Sequence, residues 1–203
     1  GRNIFENYPS WLSHIGYIPQ TIYLTDDSIR ENIAFGVAKE DIDDERVWHV
    51  LEEAQLKDFV KELPGMLDME IGERGVRLSG GQAKRLALAR TLCHKKPVLI
   101  LDDPFSALDK NTEKQIFANL KQQTKDNIVF LISHRLYLFP QMNQVIWMED
   151  GKAVAGTHEE ILEKIPEYRS LYETQSDERE NAKVETENRK TVSEHTEERR
   201  SGR

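Results

Sequence analysis

Short apolar runs alternate along the chain with longer segments whose apolar residues recur at helical spacing. The runs "HIGYIP", "PVLIL" and "NIVFLIS" are rich in apolar and β-branched residues, which predicts strands. Around them, four segments predict helices: "DSIRENIAF", "DERVWHVLEEAQLKDFV", "GQAKRLALARTLCH" and "NTEKQIFANLKQQ". Strands that alternate with helices are typical of an α/β fold in which helices cover a mostly parallel sheet.

Helix-breaking residues bound two of the predicted helices. Gly36 follows the first helix and is expected to end it. The second, residues 44–60, is predicted as one amphipathic helix that stops before Pro64. Its apolar face is formed by Val47, Val50, Leu51 and Ala54.

Two further local signals follow the last predicted strand. Asp150 and Gly151 stand in the middle of "QVIWMEDGKAVAG", which predicts a hairpin with a tight turn. Thr157 and Glu160 have the spacing of a capping box, which predicts that a helix opens at "HEEILEKI".

Composition narrows the class of protein. The chain has 203 residues, 38% of them hydrophobic, which suffices for one globular domain of ordinary size. Its formal net charge of −8 gives no indication of a basic surface, so no nucleic-acid partner is expected. The longest apolar runs are far shorter than the ~20 residues that span a bilayer. Cys93 lies in an apolar helical pattern, which favours a buried thiol in a reducing, cytosolic setting.

The two ends of the chain carry different signals. The chain opens on "GRNIF" without a methionine or a signal-peptide pattern, which suggests that upstream sequence is missing. From Ser176 onward there is no aromatic residue, and the few aliphatic residues cannot offset the entropy of ordering. We therefore expect residues 174–203 to form a disordered charged tail.

Two adjacent carboxylates, Asp102 and Asp103, follow a run of apolar residues. In a parallel sheet, ligands bind at the carboxyl ends of strands, and a strand is predicted to end here. Adjacent carboxylates are costly unless a cation or strong hydrogen-bond donors meet them. Mg²⁺ beside a phosphate chain would meet that need. The alternative is that both residues only end a strand and cap the next turn.

A second segment, "LSGGQ", opens a predicted helix. Ser79 and Gln82 have the spacing of a capping box, and that is the alternative structural explanation. Gly80 and Gly81 add a helix start without side chains, where backbone N–H groups can approach an anion at the positive end of the helix dipole. A phosphate group fits such a site.

Together these segments resemble the nucleotide-binding domain of an ABC transporter. "LSGGQ" resembles the family signature, "VLILDD" its Walker B strand, "SALD" its D-loop, "IPQ" its Q-loop and "ISH" its H-switch, in the family's order. "EIGERG" resembles the X-loop of ABC exporters, and "DSIRENIAFG" also resembles the exporter type. The resemblance covers roughly residues 1–173. It implies a P-loop NTPase-like ABC ATPase fold, with a helical signature subdomain at about residues 21–95 and the N-terminal part missing.

The resemblance implies a metal and catalytic set. Gln20 would contact Mg²⁺ and the attacking water, and Asp102 would hold the Mg²⁺. His134 would contact the γ-phosphate and stabilise the transition-state charge. The structural alternatives are that Gln20 only ends a strand and that His134 is a half-buried histidine. No role is assigned to the other histidines, which are His14, His49, His94, His158 and His195.

The resemblance also implies nucleotide contacts and partners. Ser79, Gly80, Gly81 and Gln82 would bind the γ-phosphate of an ATP held by a second ABC ATPase domain, in a head-to-tail dimer. Asp109 would communicate across that dimer, although it also fits the N-cap position of the next helix. The other implied partner is a transmembrane domain, which would place the chain at the cytoplasmic face of the inner membrane.

Two departures from the family pattern stand out. No G-x-x-x-x-G-K-[ST] occurs, since Gly151-Lys152 is followed by Ala153, so the phosphate-binding loop is expected upstream and this chain is expected to be a carboxy-terminal fragment. The residue after the Walker B Asp is usually Glu in the family, where it is the general base or positions the attacking water. The resemblance gives this catalytic place to Asp103, and one methylene fewer withdraws its carboxylate by about 1.5 Å. Ala83 and Lys84 also depart from the pattern, but on an expected helix surface they receive no role.

The sequence thus predicts an ATP-binding and ATP-hydrolysing subunit of an ABC exporter, with ATP and Mg²⁺ as cofactors. Asp103 favours a catalytic site of reduced activity within a heterodimer, because misplacement by ~1 Å can cost on the order of 10²-fold in rate. Two alternatives stay open. One is a non-hydrolysing regulatory ATP-binding half. The other is a soluble ABC-type ATPase of DNA maintenance, against which "EIGERG" and the absence of a basic face both count. The transported substrate is not predicted.

Overall fold

The computed structural model describes residues 3–72, 75 and 77–176 of the chain. The chain divides into two compact units, residues 1–133 and residues 134–203. The α-helices of the first unit, within the described residues, are α1 (Tyr8–Ser13), α2 (Ile29–Ile33), α3 (Asp44–Glu53), α4 (Lys57–Glu62), α5 (Gly80–Cys93) and α6 (Lys110–Gln123). Short 3₁₀ turns cover Ile4–Asn7, Lys39–Asp41 and Met66–Asp68.

A three-stranded parallel sheet organises the first unit. Its strands are β1 (Ile15–Ile18), β2 (Val98–Asp102) and β3 (Ile128–Ile132), in the order β1-β2-β3. The prediction of an α/β fold with a parallel sheet is confirmed. Because the strands are parallel and in register, their carboxyl ends lie at one edge of the sheet.

Helices cover one face of this sheet. On that face β2 buries Leu99 and Leu101. The absence of a side chain on Gly16 lets α5 pack close to β1, since a Cβ atom there would lie 2.9 Å from Leu99 and 3.0 Å from Thr91. The other face is largely open: Tyr17 is 55% exposed and Phe130 46% exposed, although both are large and apolar. The expectation of a sheet covered by helices therefore holds for one face only within the described residues.

The predicted single helix over residues 44–60 is wrong. The segment forms α3 and α4, separated at Gln55, whose φ of 57° is left-handed. The Leu56 amide donates to the Leu51 carbonyl over 2.8 Å, and the Arg85 guanidinium donates to the Gln55 carbonyl over 2.6 Å. The break redirects the chain so that Leu56 and Val60 are both buried. The signal that stops α3 is therefore tertiary and includes α5.

A buried polar network joins α2 to α5. Asn32 is fully buried, and its Oδ1 accepts from the Thr25 amide and from Arg90 Nη2, over 3.1 and 2.7 Å. Arg90 Nε also donates to the Asn32 carbonyl over 2.6 Å. Burial lowers the pKa of the Arg90 guanidinium, which lies 5.0 Å from the ring centre of Phe35. These contacts satisfy two polar side chains inside a helical layer.

The second unit has its own small core. Strands β4 (Val145–Glu149) and β5 (Lys152–Gly156) form the predicted antiparallel hairpin, and Asp150 and Gly151 at its turn both have positive φ. Helix α7 (His158–Lys164) opens on the predicted capping box of Thr157 and Glu160, a 3₁₀ turn covers Leu136–Gln141, and residues 166–176 are helical. The core consists of Leu136, Val145, Ile161 and Tyr168.

Some predictions fall outside the described residues. Glu73 and Arg74, in the middle of "EIGERG", are among these, and so are residues 177–203 of the predicted tail. Within the described ranges, no helix combines the length and the apolar character needed to cross a bilayer.

Candidate functional site

The two adjacent aspartates lie where β2 ends. Asp102 is the last residue of β2, and Asp103 follows it with a left-handed φ of 47°. Asp adopts this conformation more readily than most residues. The Asp103 amide donates to the Ile132 carbonyl over 2.9 Å, and the amide and hydroxyl of Ser106 donate to the Asp103 carbonyl over 3.3 and 3.1 Å. Hydrogen bonds on both sides therefore fix the backbone from which the Asp103 carboxylate extends.

Gln20 lies at the same edge of the sheet. It follows β1 by two residues and is exposed, and β1 pairs in parallel with β2. The structure thus brings Gln20 to the edge that carries Asp102 and Asp103. All three side chains carry an oxygen atom that can act as a metal ligand. Such oxygens suit Mg²⁺, a cation commonly held by one or two carboxylates plus phosphate oxygens. No cluster of three or more His, Cys, Asp or Glu side chains that could hold a metal occurs among the described residues.

Lys84 is buried, so the expectation that it lies on a helix surface is wrong. Its Nζ donates to the backbone carbonyl of Gln20 over 2.7 Å. Burial lowers the pKa of the Lys84 ammonium, while the charges of Asp103 and Asp102 oppose that lowering. Sequence reasoning missed this residue because its partner is 64 positions away in the chain.

The start of α5 has the predicted capping box. Ser79 is the N-cap: its amide donates to Gln82 Oε1 over 2.8 Å, and its hydroxyl accepts from the Gln82 amide over 3.3 Å. Ser79 and Gly80 are exposed, and Gly81 and Gln82 are half-buried. The side chains of Ser79 and Gln82 are therefore engaged in capping. The exposed helix start next to them carries no side chain at Gly80 or Gly81.

Packing inside the chain also requires glycine at position 81, and the sequence did not reveal this. A Cβ atom at this position would lie 2.8 Å from the carbonyl oxygen of Ala107, closer than real Cβ contacts. Ala107 belongs to the "SALD" loop after β2 and has a left-handed φ of 61°. The start of α5 and this loop are thus in direct contact within one chain.

Asp109 caps α6. Its Oδ1 accepts from the amides of Asn111 and Thr112, both over 3.0 Å, and its Oδ2 accepts from the Thr112 hydroxyl over 2.6 Å. The hydrogen bonds from Thr112 are the main reason that the pKa of Asp109 lies below its ordinary value. The N-cap alternative for Asp109 is therefore present, and a role across a dimer would have to coexist with it.

His134 is the first residue of the second unit, and it is exposed. Its backbone carbonyl accepts from Gln175 Nε2 over 2.7 Å, and Gln175 Oε1 accepts from the Leu136 amide over 3.0 Å. The Gln175 side chain thus fixes the backbone on either side of residue 135. The His134 ring stays at the surface of its unit.

Comparisons with known proteins agree on one family. A family model described as ABC transporter matches residues 1–106. The chain is 40% identical over 183 residues to an ATP-dependent lipid A-core flippase of Bordetella pertussis, covering 86% of this chain and 29% of the flippase. It is 38% identical over 162 residues to a probable multidrug resistance ABC transporter ATP-binding/permease protein of Bacillus subtilis, covering 79% of this chain and 27% of that protein.

A solved structure extends the agreement to the fold. A bacterial Atm1-family ABC exporter with ATP bound superposes with a TM-score of 0.76 at 31% identity, covering 82% of this chain and 29% of the exporter chain. The predicted ABC ATPase fold is confirmed by this match. The chain spans less than a third of the length of the curated relatives named above.

Proposed function

The chain belongs to the ABC transporter family, and from this membership we propose that it is the ATP-binding and ATP-hydrolysing part of an exporter. The reaction would be hydrolysis of the terminal phosphoanhydride of ATP, coupled to transport through a transmembrane domain. The observation that carries the proposal is the meeting of Gln20, Asp102 and Asp103 at one edge of the sheet. That edge is where parallel α/β folds bind ligands.

The proposed roles at this edge follow from the chemistry of each side chain. Asp102 would hold Mg²⁺, and Gln20 would contact the same ion, since both side chains offer oxygen ligands. Bound Mg²⁺ would neutralise charge on the phosphate oxygens. The Asp103 carboxylate would accept a hydrogen bond from the attacking water. The role proposed for His134, in the second unit, rests on the family motif alone: its imidazole would donate a hydrogen bond to a γ-phosphate oxygen.

A second nucleotide-binding surface is proposed at the start of α5. Ser79, Gly80, Gly81 and Gln82 would bind the γ-phosphate of an ATP held by a second ABC ATPase domain, in a head-to-tail dimer. The exposed helix start without side chains at its glycines supports this assignment, because backbone N–H groups there are accessible to an anion. Asp109 is the last residue of the "SALD" loop, whose Ala107 contacts this helix start, and this supports its proposed role between the two domains.

We propose that further chain completes the first unit. The sequence has no phosphate-binding loop. Tyr17, Phe130 and Ile132 lie on strand faces that are about half exposed, and contiguous apolar surface of this kind marks a contact site. A longer polypeptide with a transmembrane domain would cover that face, supply the phosphate-binding loop and hold the ATPase at the cytoplasmic face of the inner membrane.

A site of reduced activity within a heterodimer is the finer proposal. Asp103 has one methylene fewer than Glu, and three hydrogen bonds hold its backbone in place, so a backbone shift cannot easily restore the reach of the carboxylate. The same observation favours a second candidate function, a regulatory half that binds ATP without hydrolysing it. Lipid A-core and multidrug substrates belong to the named relatives, and neither is assigned to this chain.

The test is Mg²⁺-dependent ATP turnover of the full-length protein, with and without its partner subunit, in the wild type and in Asp102→Asn. Loss of the metal-binding carboxylate should lower turnover at this site by about 10² or more. Asp126→Asn is the matched control, because Asp126 is exposed on the loop before β3. Measurable turnover that is equal in Asp102→Asn and the wild type would refute the proposed metal role. A wild type that binds ATP but does not hydrolyse it would favour the regulatory alternative.

A further inference from the structure

Lys84 lies on the first two turns of α5, and only 8% of it is exposed. Lysine is almost never this buried unless its ammonium has a partner. Here the partner is the Gln20 backbone carbonyl, which accepts a hydrogen bond from Nζ over 2.7 Å. The contact therefore joins the helix that begins with the glycine pair to the loop that follows β1.

The charge of Lys84 also acts on the two carboxylates after β2. Asp103 and Asp102 both favour the charged form of the ammonium, against the opposing effect of burial. These charges act in addition to the hydrogen bond from Nζ to the Gln20 carbonyl, which fixes the place of the ammonium.

A hydrogen-bond donor at this place restrains the loop after β1. The pairing of β1 with β2 ends at residue 18, two residues before Gln20. The Lys84 hydrogen bond therefore holds the Gln20 backbone beyond the end of this pairing. A side chain of the same size without a donor would not do so.

We infer that Lys84 is a positioning residue that anchors the Gln20 backbone to α5. The inference rests on the proposed function, since it takes the sheet edge at Gln20 to be the metal site. It adds a mechanical connection: Ser79–Gln82 open the same helix, so a displacement of the helix start by a bound phosphate moves Lys84 and, with it, the Gln20 carbonyl.

The anchoring is tested by hydrogen–deuterium exchange of residues 19–24 in the nucleotide-free, metal-free full-length protein. Lys84→Met keeps most of the side-chain volume but has no donor, and it should raise exchange in this segment by about tenfold. Lys84→Arg keeps a charged donor and should stay near the wild type. Lys114→Met is the matched control, because Lys114 is exposed on α6. Unchanged exchange in Lys84→Met would overturn the anchoring role.

The exchange experiment needs neither metal nor hydrolysis, so its result does not depend on the proposed function. A wild type without any Mg²⁺-dependent ATP turnover would count against the proposed function, whereas the exchange experiment would still decide the anchoring.

Discussion

The position that a Cβ atom would take on Gly81 lies 2.8 Å from the carbonyl oxygen of Ala107. This contact joins the start of α5 to the loop after β2. Glycine at position 81 is therefore required by packing within the chain, in addition to any role toward a phosphate.

Gly81→Ala should separate these two segments even without nucleotide. The methyl group would overlap the Ala107 carbonyl, so we expect a loss of about 1–3 kcal/mol of unfolding free energy. Hydrogen exchange of residues 80–86 and 103–109 in the nucleotide-free protein measures the effect. Gly80→Ala is the control, since its Cβ would lie an ordinary 3.9 Å from the nearest atom, the Ala107 Cβ. Equal exchange in both variants would show that the close approach is not the constraint on Gly81.

Asp103→Glu should raise ATP turnover of the full-length protein by one to two orders of magnitude. The added methylene extends the carboxylate by about 1.5 Å from a backbone that hydrogen bonds hold in place. The left-handed φ of 47° reduces the gain somewhat, because Glu adopts it less readily than Asp. Steady-state turnover with saturating Mg²⁺ and ATP is the measurement.

Asp126→Glu serves as its control, since it adds the same methylene at an exposed position. Brisk turnover of the wild type that Asp103→Glu leaves unchanged would mean that Asp103 already reaches the water. A self-sufficient homodimer would then be the better account, and the heterodimer proposal would lose its support.

The sequence predicted best the features that local physics decides. Ser79 with Gln82 and Thr157 with Glu160 form their capping boxes, because both partners lie within four residues. The position of Asp102 at a strand end was also predictable, because an apolar run of strand length stops there. Once the strands are parallel, their carboxyl ends must share an edge, which brings Gln20 to Asp102 and Asp103.

Contacts between distant segments decided the rest. The break at Gln55 carries no Gly or Pro signal, and the Arg85 guanidinium of α5 donates to the Gln55 carbonyl at the break. The apolar pattern of α5 allows a surface position for Lys84. The residue is nevertheless buried, and its Nζ donates to the Gln20 carbonyl in the loop after β1. The spacing of apolar residues along the chain does not indicate hydrogen bonds between segments this far apart. Both misses thus involve a basic residue of α5 that donates to a backbone carbonyl far away in sequence.

Asn32→Ala should loosen the packing of α2 on α5. The substitution removes the acceptor for Arg90 Nη2 and for the Thr25 amide inside a buried layer, which costs about 2–4 kcal/mol. Hydrogen exchange of residues 29–34 and 86–92 should rise together. Asn111→Ala, at an exposed position of α6, controls for loss of an amide side chain. If Asn32→Ala left both segments as protected as the wild type, the network would contribute no net stability.

The last prediction concerns acid sensitivity of the second unit, where His158 Nδ1 lies 2.8 Å from the hydroxyl of Tyr168. Burial lowers the pKa of His158, against the opposing charge of Glu159, and burial also raises the pKa of Tyr168 to about 12. The folded state therefore favours the neutral form of His158, while the unfolded chain takes up a proton near pH 6.5. The stability that this histidine contributes is present above about pH 6.5 and is lost as the pH falls through its lower folded pKa.

Trp147 reports on this equilibrium, since its ring centre lies 5.8 Å from that of Tyr168 in the same unit. In a variant with Trp11→Phe and Trp48→Phe, thermal unfolding followed by Trp147 fluorescence should occur at a lower temperature at pH 5 than at pH 7.5. His158→Gln should unfold at a lower temperature at pH 7.5, because the buried pairing with Tyr168 changes, but should show less dependence on pH over this range. An equally steep pH dependence in His158→Gln would mean that protonation of other groups destabilises the unit in acid.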